Sequence, residues 1–595
     1  MKLHITTWSF TKICYVYFLM LAMPLLSYSD KSLVTKLPLS KSSFKTFIED
    51  DCLCIGETKK INKKGHYMNP TRLPRLPLDL STFFQLRKSG YLYVDKTKYA
   101  YDLITGGRRY FLSRPRRFGK SLFVSTLKEI LDGNKTLFDG LLIAGTDYHW
   151  EKYGVIELDL SSLGIDSPET LKSGLCYALK GIARDYSLDI EIDTTSPELA
   201  LHSVVKALHA RFGRVAILVD EYDNPILQVL KNARQAEEIR NAIRRFFAAI
   251  KGLDKYIDFV FITGVSSFAK AGLFSGINNL RTMTLNEQFA GICGYTDEEV
   301  DSYFTNYIQA WALKENIPYD DLRRQVKSWY NGYRFGSNVP SVYNPFSLMN
   351  ALDAQVFKNF WFQSGTPTFL IDEFKKEYRK AESQIFDPEK FETTEDSLGI
   401  FDVGATPLPA LMFQTGYLTI TTYDREKNLY KLGYPNHEVR TALQQYLLGI
   451  FAQLDFISAE RMSLQLRSVL NRGDVVEGVF LLKQLFANVP YQLHVKEEKF
   501  YHALLQVIFG ASGIKAQSEY STSHGRIDLV LELPNILYVV EVKFNVSAEI
   551  ALAQIEERRY YESFLSWGKP ITLLGIAFKR EPKNFDVTYA VKNLK

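Results

Sequence analysis

Residues 110–127 read YFLSRPRRFGKSLFVSTL. A short apolar run, a basic loop and an amphipathic stretch predict strand, loop and helix in that order. Gly119, Lys120 and Ser121 close the loop as in GxxxxGK[ST]. In that pattern backbone amides wrap phosphates, the lysine reaches the β/γ oxygens and the hydroxyl meets Mg2+. Arg114 stands where the pattern has its first glycine, and a side chain is tolerated there only if the position does not demand a positive φ. Taken alone, the stretch reads equally as a half-matched phosphate loop and as a basic surface loop.

A second stretch, RVAILVDEYD (214–223), tips the balance. Four apolar residues, Ala216 to Val219, lead into Asp220 and Glu221. Hydrolysis of a nucleoside triphosphate needs such a pair: an aspartate to hold Mg2+ and a glutamate to orient and activate the attacking water. VIELDLSS (155–162) and FVFITGVSSF (259–268) read as further strands, and HSVVKALHARFG (202–213) as a helix closed by Gly213. Thr263 ends FVFIT, where a polar side chain can sense the γ-phosphate; a plain strand terminus is the alternative. Arg240, Arg244 and Arg245 read either as an arginine finger or as a solvated helix face. Strand, loop, helix and then acid-tipped strands is the order of a P-loop NTPase core, an α/β domain expected over 72–290.

From 291 to 485 the pattern turns mainly helical, with polar interruptions such as KAESQIFDPEKFETTEDS (380–397), and reads as a lid or connecting region. A last unit, 491–595, contains RIDLVLELPNILYVVEVKF (526–544). Two strands joined at Pro534-Asn535 set Asp528 beside Glu541, and Lys543 shares a strand face with Glu541. Convergent carboxylates that hold Mg2+ and a lysine that positions the nucleophile suit phosphodiester cleavage. Glu498 and His502 on the preceding helix, and Gln554 and Tyr560 on the following one, are accessory candidates. An amphipathic hairpin with solvated charges is the alternative, but Glu541 lies in an otherwise apolar strand, where an idle charge is costly.

At 595 residues the chain is too long for a single core. Its net charge of +5 excludes a global polycation, so contact with nucleic acid must come from local patches. Arg108, Arg109, Arg114, Arg116, Arg117 and Lys120 form one such patch. The five cysteines include no CxxC pair, which argues against a zinc knuckle or a disulfide framework and for a reducing, cytoplasmic setting. The N-terminus disagrees. Lys2 and Lys12 precede an apolar segment, 13–28, interrupted by Pro24, with the length of a signal-peptide core and short of the ~20 residues of a membrane span. Met68 offers another start, which would leave 1–67 as a leader outside the working protein. Membrane contact follows only if the segment is retained.

The chain resembles a bacterial family of AAA-ATPase-like proteins joined to a C-terminal PD-(D/E)XK nuclease-like domain. Beyond the motifs above, the resemblance runs through YLYVDKTKYAYDLI (91–104), VDEYDNPI (219–226), FITGVSSFAKAGLFSGINNL (261–280), WYNGYRFG (329–336), VYNPFSLMN (342–350), FWFQSGTPTFLI (360–371), FQTGYLTI (413–420), LGYPNHEVR (432–440) and HGRIDLVLE (524–532). It starts near Arg72 and implies that RPRRFGKS is the usual phosphate loop. It also implies ATPase roles for Lys120, Ser121, Asp220 and Glu221. For the nuclease-like domain it implies roles for Asp528, Glu541 and Lys543, with Gln554 and Tyr560 as accessories. Together these readings predict an α/β chain with a P-loop core, a helical connecting region and a restriction-endonuclease-like domain. ATP and Mg2+ are the expected cofactors, with Arg114, Arg116, Arg117, Gly119 and Thr263 beside the nucleotide. Nucleic acid, DNA ahead of RNA, is the expected partner, and homo-oligomerisation stays open. The alternative is an ATP-regulated switch whose C-terminal domain binds nucleic acid or protein without cutting.

Overall fold

The computed structural model describes residues 73–267, 272–274, 276–277, 279–363, 391–399, 407–489, 498–581 and 584–594. The leader 1–67, its apolar segment, Met68 and much of the 360–371 and 380–397 motifs lie outside the described residues. Arg72–Lys595 forms one compact unit.

Five strands make the first sheet: β1 (Arg109–Ser113), β2 (Gly154–Asp159), β3 (Val215–Asp220), β4 (Phe259–Gly264) and β5 (Arg281–Thr282). Their order is β2-β3-β4-β1-β5 and every neighbouring pair is parallel. A parallel sheet is covered on both faces, so β3 and β4 are buried along their whole length and read as unbroken apolar runs rather than alternating ones. The helices that cover it are α1 (Lys120–Leu131), α2 (Pro168–Asp185), α3 (Pro197–Phe212) and α4 (Ala233–Gly252). Their ends are set locally. Ser196 caps α3 by accepting the Leu199 N–H, Pro197 starts its first turn, and Gly213 at φ +74 ends it. This strand order places β4 between β1 and β3, so the loop after β1 and the acids after β3 converge over the end of β4. In parallel sheets ligands sit at that C-terminal edge.

The middle region is helical but not purely so. Strands β6 (Glu392–Thr393), β7 (Thr419–Asp424) and β8 (Leu429–Gly433) form a small antiparallel sheet that the mainly helical expectation omits. Helices α5 (His437–Phe451), α6 (Phe456–Asn471) and α7 (Val475–Ala487) lead into α8 (Glu498–Ala511). Here α5 and α8 approach closely: a Cβ on Gly510 would overlap the Gln444 amide.

The C-terminal sheet is mixed. It orders β9 (Lys515–Thr522), β10 (Gly525–Glu532), β11 (Leu537–Phe544), β12 (Ile571–Glu581) and β13 (Asn584–Leu594) as β13-β12-β11-β10-β9. All neighbouring pairs are antiparallel except β11 and β12, which α9 (Ala548–Glu557) connects as a crossover. Among the described residues no helix is long and apolar enough to cross a membrane.

Candidate functional site

Two constellations form, one at the C-terminal edge of the parallel sheet and one where the first half of β10 meets the second half of the antiparallel β11. In the first, Gly119 takes φ +90 at the start of α1, a conformation that needs glycine, whereas Arg114 is absent from the positive-φ positions. The missing first glycine is therefore no defect. The left-handed turn falls instead on Arg117, at φ 67.

Arg114 departs from the expectation that it faces the nucleotide. Its side chain is only 1% exposed and turns into the protein. There the guanidinium donates to the carbonyls of Ser113 (3.0 Å), Thr284 (2.8 Å) and Phe289 (3.2 Å), and it stacks 3.9 Å from the centre of the Phe335 ring. Its backbone N–H goes to Gly264 O. Burial lowers its pKa to about 10. Phe118 anchors the far side of the loop, edge-on to Tyr333 and Phe335 of WYNGYRFG. The loop is thus pinned from beneath by two of its own side chains, while Arg116 is half-buried and Arg117 exposed.

Lys120 is buried, and its ammonium donates to Arg114 O and Pro115 O, both at 3.1 Å. The carboxylate of Asp220 sits beside Ser121 and Lys120; burial raises its pKa, and both neighbours oppose that rise. Glu221 occupies the left-handed region at φ 47, an uncommon and strained choice for a non-glycine residue that clusters at functional positions. Burial pushes its carboxyl up as well, with Lys120 and Arg116 pulling the other way. Thr263, the next-to-last residue of β4, is fully buried, with a hydroxyl that has no hydrogen-bond partner. An unpartnered buried hydroxyl is costly and fits a polar ligand better than a plain strand end.

Asp223, which the sequence reading passed over, locks this corner. Its carboxylate accepts the N–H groups of Val265 (3.1 Å) and Ser266 (2.6 Å). Its place two residues after Glu221 in VDEYD was the available signal. Arg240 pairs with Glu237 on α4, and Arg244 and Arg245 are exposed there, the solvated-face alternative.

In the second constellation, β10 and β11 pair as far as Leu529 and Val540 and then part. In the gap Asp528 Oδ2 accepts the Val542 N–H at 2.9 Å, which places Asp528 beside Glu541. Glu541 is 2% exposed. Its Oε1 accepts Lys543 Nζ at 2.8 Å and the Gln554 amide. Gln554 reaches it because Glu541 faces Gly575 on β12, where a Cβ would meet Ala548 O at 2.3 Å; the missing side chain lets α9 lie close. Glu541 Oε2 is buried with no partner. Burial first and then Asp528 push the Glu541 carboxyl above the ordinary range, Lys543 opposes them, and Glu498 adds to the rise. His502 Nε2 lies 2.7 Å from the Asp528 carbonyl oxygen.

Tyr560 needs correcting. It is not on the following helix but begins a 3-10 turn, Tyr560–Trp567, because Arg559 at φ 51 breaks the chain direction after α9. Its ring is buried among Ile527, Val530 and Phe564, with the hydroxyl toward Gly525.

No group of three His, Cys, Asp or Glu side chains that could hold a metal occurs among the described residues. The donor set at β10–β11 still suits Mg2+, which keeps several waters and uses one or two carboxylates. The orphaned Glu541 Oε2 beside Asp528 fits that demand. At the first site Ser121 and Asp220 offer the same kind of oxygen donors.

Fold and geometry thus define a P-loop-type α/β domain followed by a nuclease-type mixed-sheet domain. The family described as "Predicted AAA-ATPase" matches residues 77–274, and the "PD-(D/E)XK nuclease superfamily" matches residues 496–587. A protein of Azotobacter chroococcum mcd 1, "Uncharacterized protein in vnfD 5'region", is 34% identical over 534 residues, covering 87% of this chain and 99% of that one. The Orc1 protein of Aeropyrum pernix, solved in complex with DNA, is similar at 11% identity and a TM-score of 0.23, over 59% of this chain and 91% of that one. The chain belongs to the bacterial family of AAA-ATPase-like proteins with a C-terminal PD-(D/E)XK nuclease-superfamily domain.

Proposed function

We propose that the chain binds and hydrolyses ATP at the β1–β3 edge and cleaves nucleic acid, DNA ahead of RNA, at the β10–β11 edge. The observation that carries the second half is Glu541 Oε2, a carboxylate oxygen buried without a partner next to Asp528 and Lys543. A carboxyl kept in that state is costly unless a ligand completes it.

At the ATP site Lys120 exchanges its two loop carbonyls for phosphate oxygens, and the amides of the loop and of the start of α1 take the rest. Arg116 and Arg117 add charge that a glycine loop lacks. Glu221 orients the attacking water and takes its proton, with Thr263 donating to the phosphate. At the second site Asp528 and Glu541 hold the cation, Gln554 and Lys543 fix the Glu541 carboxylate, and Lys543 steers the nucleophile. Mg2+, when bound, supplies charge neutralisation at phosphate oxygens and a more acidic water.

A second reading, an ATP-regulated switch, draws support from α5. Its first turn is linked to the phosphate loop through Glu438 and then Trp361, and Gln444 packs on Gly510 of α8, the helix that carries Glu498 and His502. Two measurements on the full chain test the proposal. Phosphate release from ATP should be lost in Lys120→Ala. Calorimetric Mg2+ binding at the C-terminal site should be lost in Asp528→Ala; a wild type that binds Mg2+ there yet never cuts selects the switch.

A further inference from the structure

Glu438 is fully buried in the first turn of α5, and neither site uses it. Its Oε1 accepts the backbone N–H of Trp361 at 2.8 Å. The indole Nε1 of the same Trp361 donates to Arg116 O at 3.1 Å. One tryptophan therefore spans from the start of α5 to the middle of the phosphate loop. A glycine seats it: a Cβ on Gly416, at φ +91, would come within 2.8 Å of Pro115 and 3.3 Å of the Trp361 ring.

A loop that holds an anion must present its N–H groups and keep its carbonyls turned away. Three successive carbonyls of this loop are occupied. Lys120 holds those of Arg114 and Pro115, and Trp361 holds that of Arg116. A phosphate competes for Lys120 and releases the first two. Trp361 donates from outside the loop, so the Arg116 carbonyl keeps its partner when ligand arrives.

The surroundings of Glu438 are equally constrained. Asn344 and Asn436 cap two helices through their Oδ1 atoms, on Ser347 N (3.1 Å) and Val439 N (3.0 Å), so neither amide is free to flip. The Ser347 hydroxyl and the Phe360 N–H also face the Glu438 carboxyl, and the Asn344 and Asn436 amides face the Tyr333 hydroxyl, so the carboxyl sits in a closed pocket of polar groups. A carboxyl buried in this way needs a task beyond filling space.

We infer that Glu438 is a positioning residue for nucleotide binding, acting through Trp361 on the Arg116 carbonyl to hold the phosphate loop in its anion-binding shape. The inference rests on the ATP reading above. The experiment measures KM and kcat for MgATP on the full chain as wild type, Trp361→Phe, Glu438→Ala and Glu438→Gln. Phenylalanine removes the indole donor together with the benzo carbons that lie on Gly416, whereas Glu438→Ala and Glu438→Gln leave the tryptophan whole and separate the hydrogen bond from packing. Trp361→Phe is expected to raise KM roughly fivefold while kcat stays within about twofold, the signature of lost uniform binding. Glu438→Ala should follow it, whereas Glu438→Gln, whose amide oxygen still accepts the Trp361 N–H, should restore KM to within about twofold of wild type. Unchanged KM in Trp361→Phe, with wild type active, overturns this inference alone. A wild type that neither binds nor hydrolyses ATP overturns the ATP reading and this one with it. Should Glu438→Ala fail to fold, Trp361→Phe against Glu438→Gln still decides.

Discussion

Lys120 donates a 3.1 Å hydrogen bond to the carbonyl of Arg114, whose own guanidinium is buried on three other carbonyls. The residue that replaces the usual glycine is thus the loop's foundation. Arg114→Met keeps the volume but strips donors from buried carbonyls, and should destabilise the AAA-ATPase-like domain by about 2–4 kcal/mol in a thermal or urea melt. Arg114→Lys should not restore it, because an ammonium cannot span the same fork of acceptors. Exposed Arg117→Ala should leave the melt within about 0.5 kcal/mol of wild type. A wild-type melt for Arg114→Met would contradict the buried role.

Glu221 is assigned to water rather than to binding. Glu221→Gln should therefore keep ATP affinity near wild type while turnover falls roughly 10²–10⁴-fold. Equilibrium binding and phosphate release, measured on the same preparation, separate the two. Loss of binding with no specific loss of kcat would move Glu221 out of the chemistry.

Gly264 closes the corner where β3 and β4 meet. A Cβ there would lie 2.3 Å from Asp223 Oδ1 and 2.6 Å from the Tyr222 ring, both buried groups with little room to yield. Gly264→Ala should cost about 1–3 kcal/mol of stability and displace Thr263 with it, lowering ATP binding as well. A neutral substitution would show that the corner relaxes freely.

Glu438 gives a pH signature. Burial pushes its carboxyl from the ordinary 4.5 up to about 8, while Tyr330 and Tyr333, which face it, are pushed up too and stay neutral over that range. The folded chain then keeps a proton that the unfolded chain releases. The stability this proton contributes is full below about pH 4.5 and is lost as pH rises to about 8. Glu438→Gln carries no such proton, so its melting temperature should fall less than wild type across that window. Parallel curves for the two proteins would place the carboxyl at its ordinary value.

Much of this layout was legible in the residues. Gly119-Lys120-Ser121 and Asp220-Glu221 are local signals whose chemistry does not depend on the rest of the chain, and the turn at Pro534-Asn535 was enough to bring Asp528 to Glu541. What escaped depends on distant partners. The burial of Arg114 is decided by Thr284 and Phe289, 170 and 175 residues away in sequence. The strut through Glu438 and Trp361 joins segments 77 residues apart. Strands β9, β12 and β13 went unread because they obtain their meaning only from pairing beside β10 and β11. Tyr560 was placed on α9 because an arginine, rather than a glycine, takes the left-handed turn that ends it.

The most direct test of the central claim is cleavage of end-labelled single- and double-stranded DNA, with RNA in parallel, by the full chain as Mg2+ is titrated. The account predicts Mg2+-dependent cutting by wild type that disappears in Asp528→Ala and falls sharply in Lys543→Ala, with both variants still folded. Wild type that cuts no substrate at any Mg2+ concentration, or Asp528→Ala that cuts as wild type does, would contradict it.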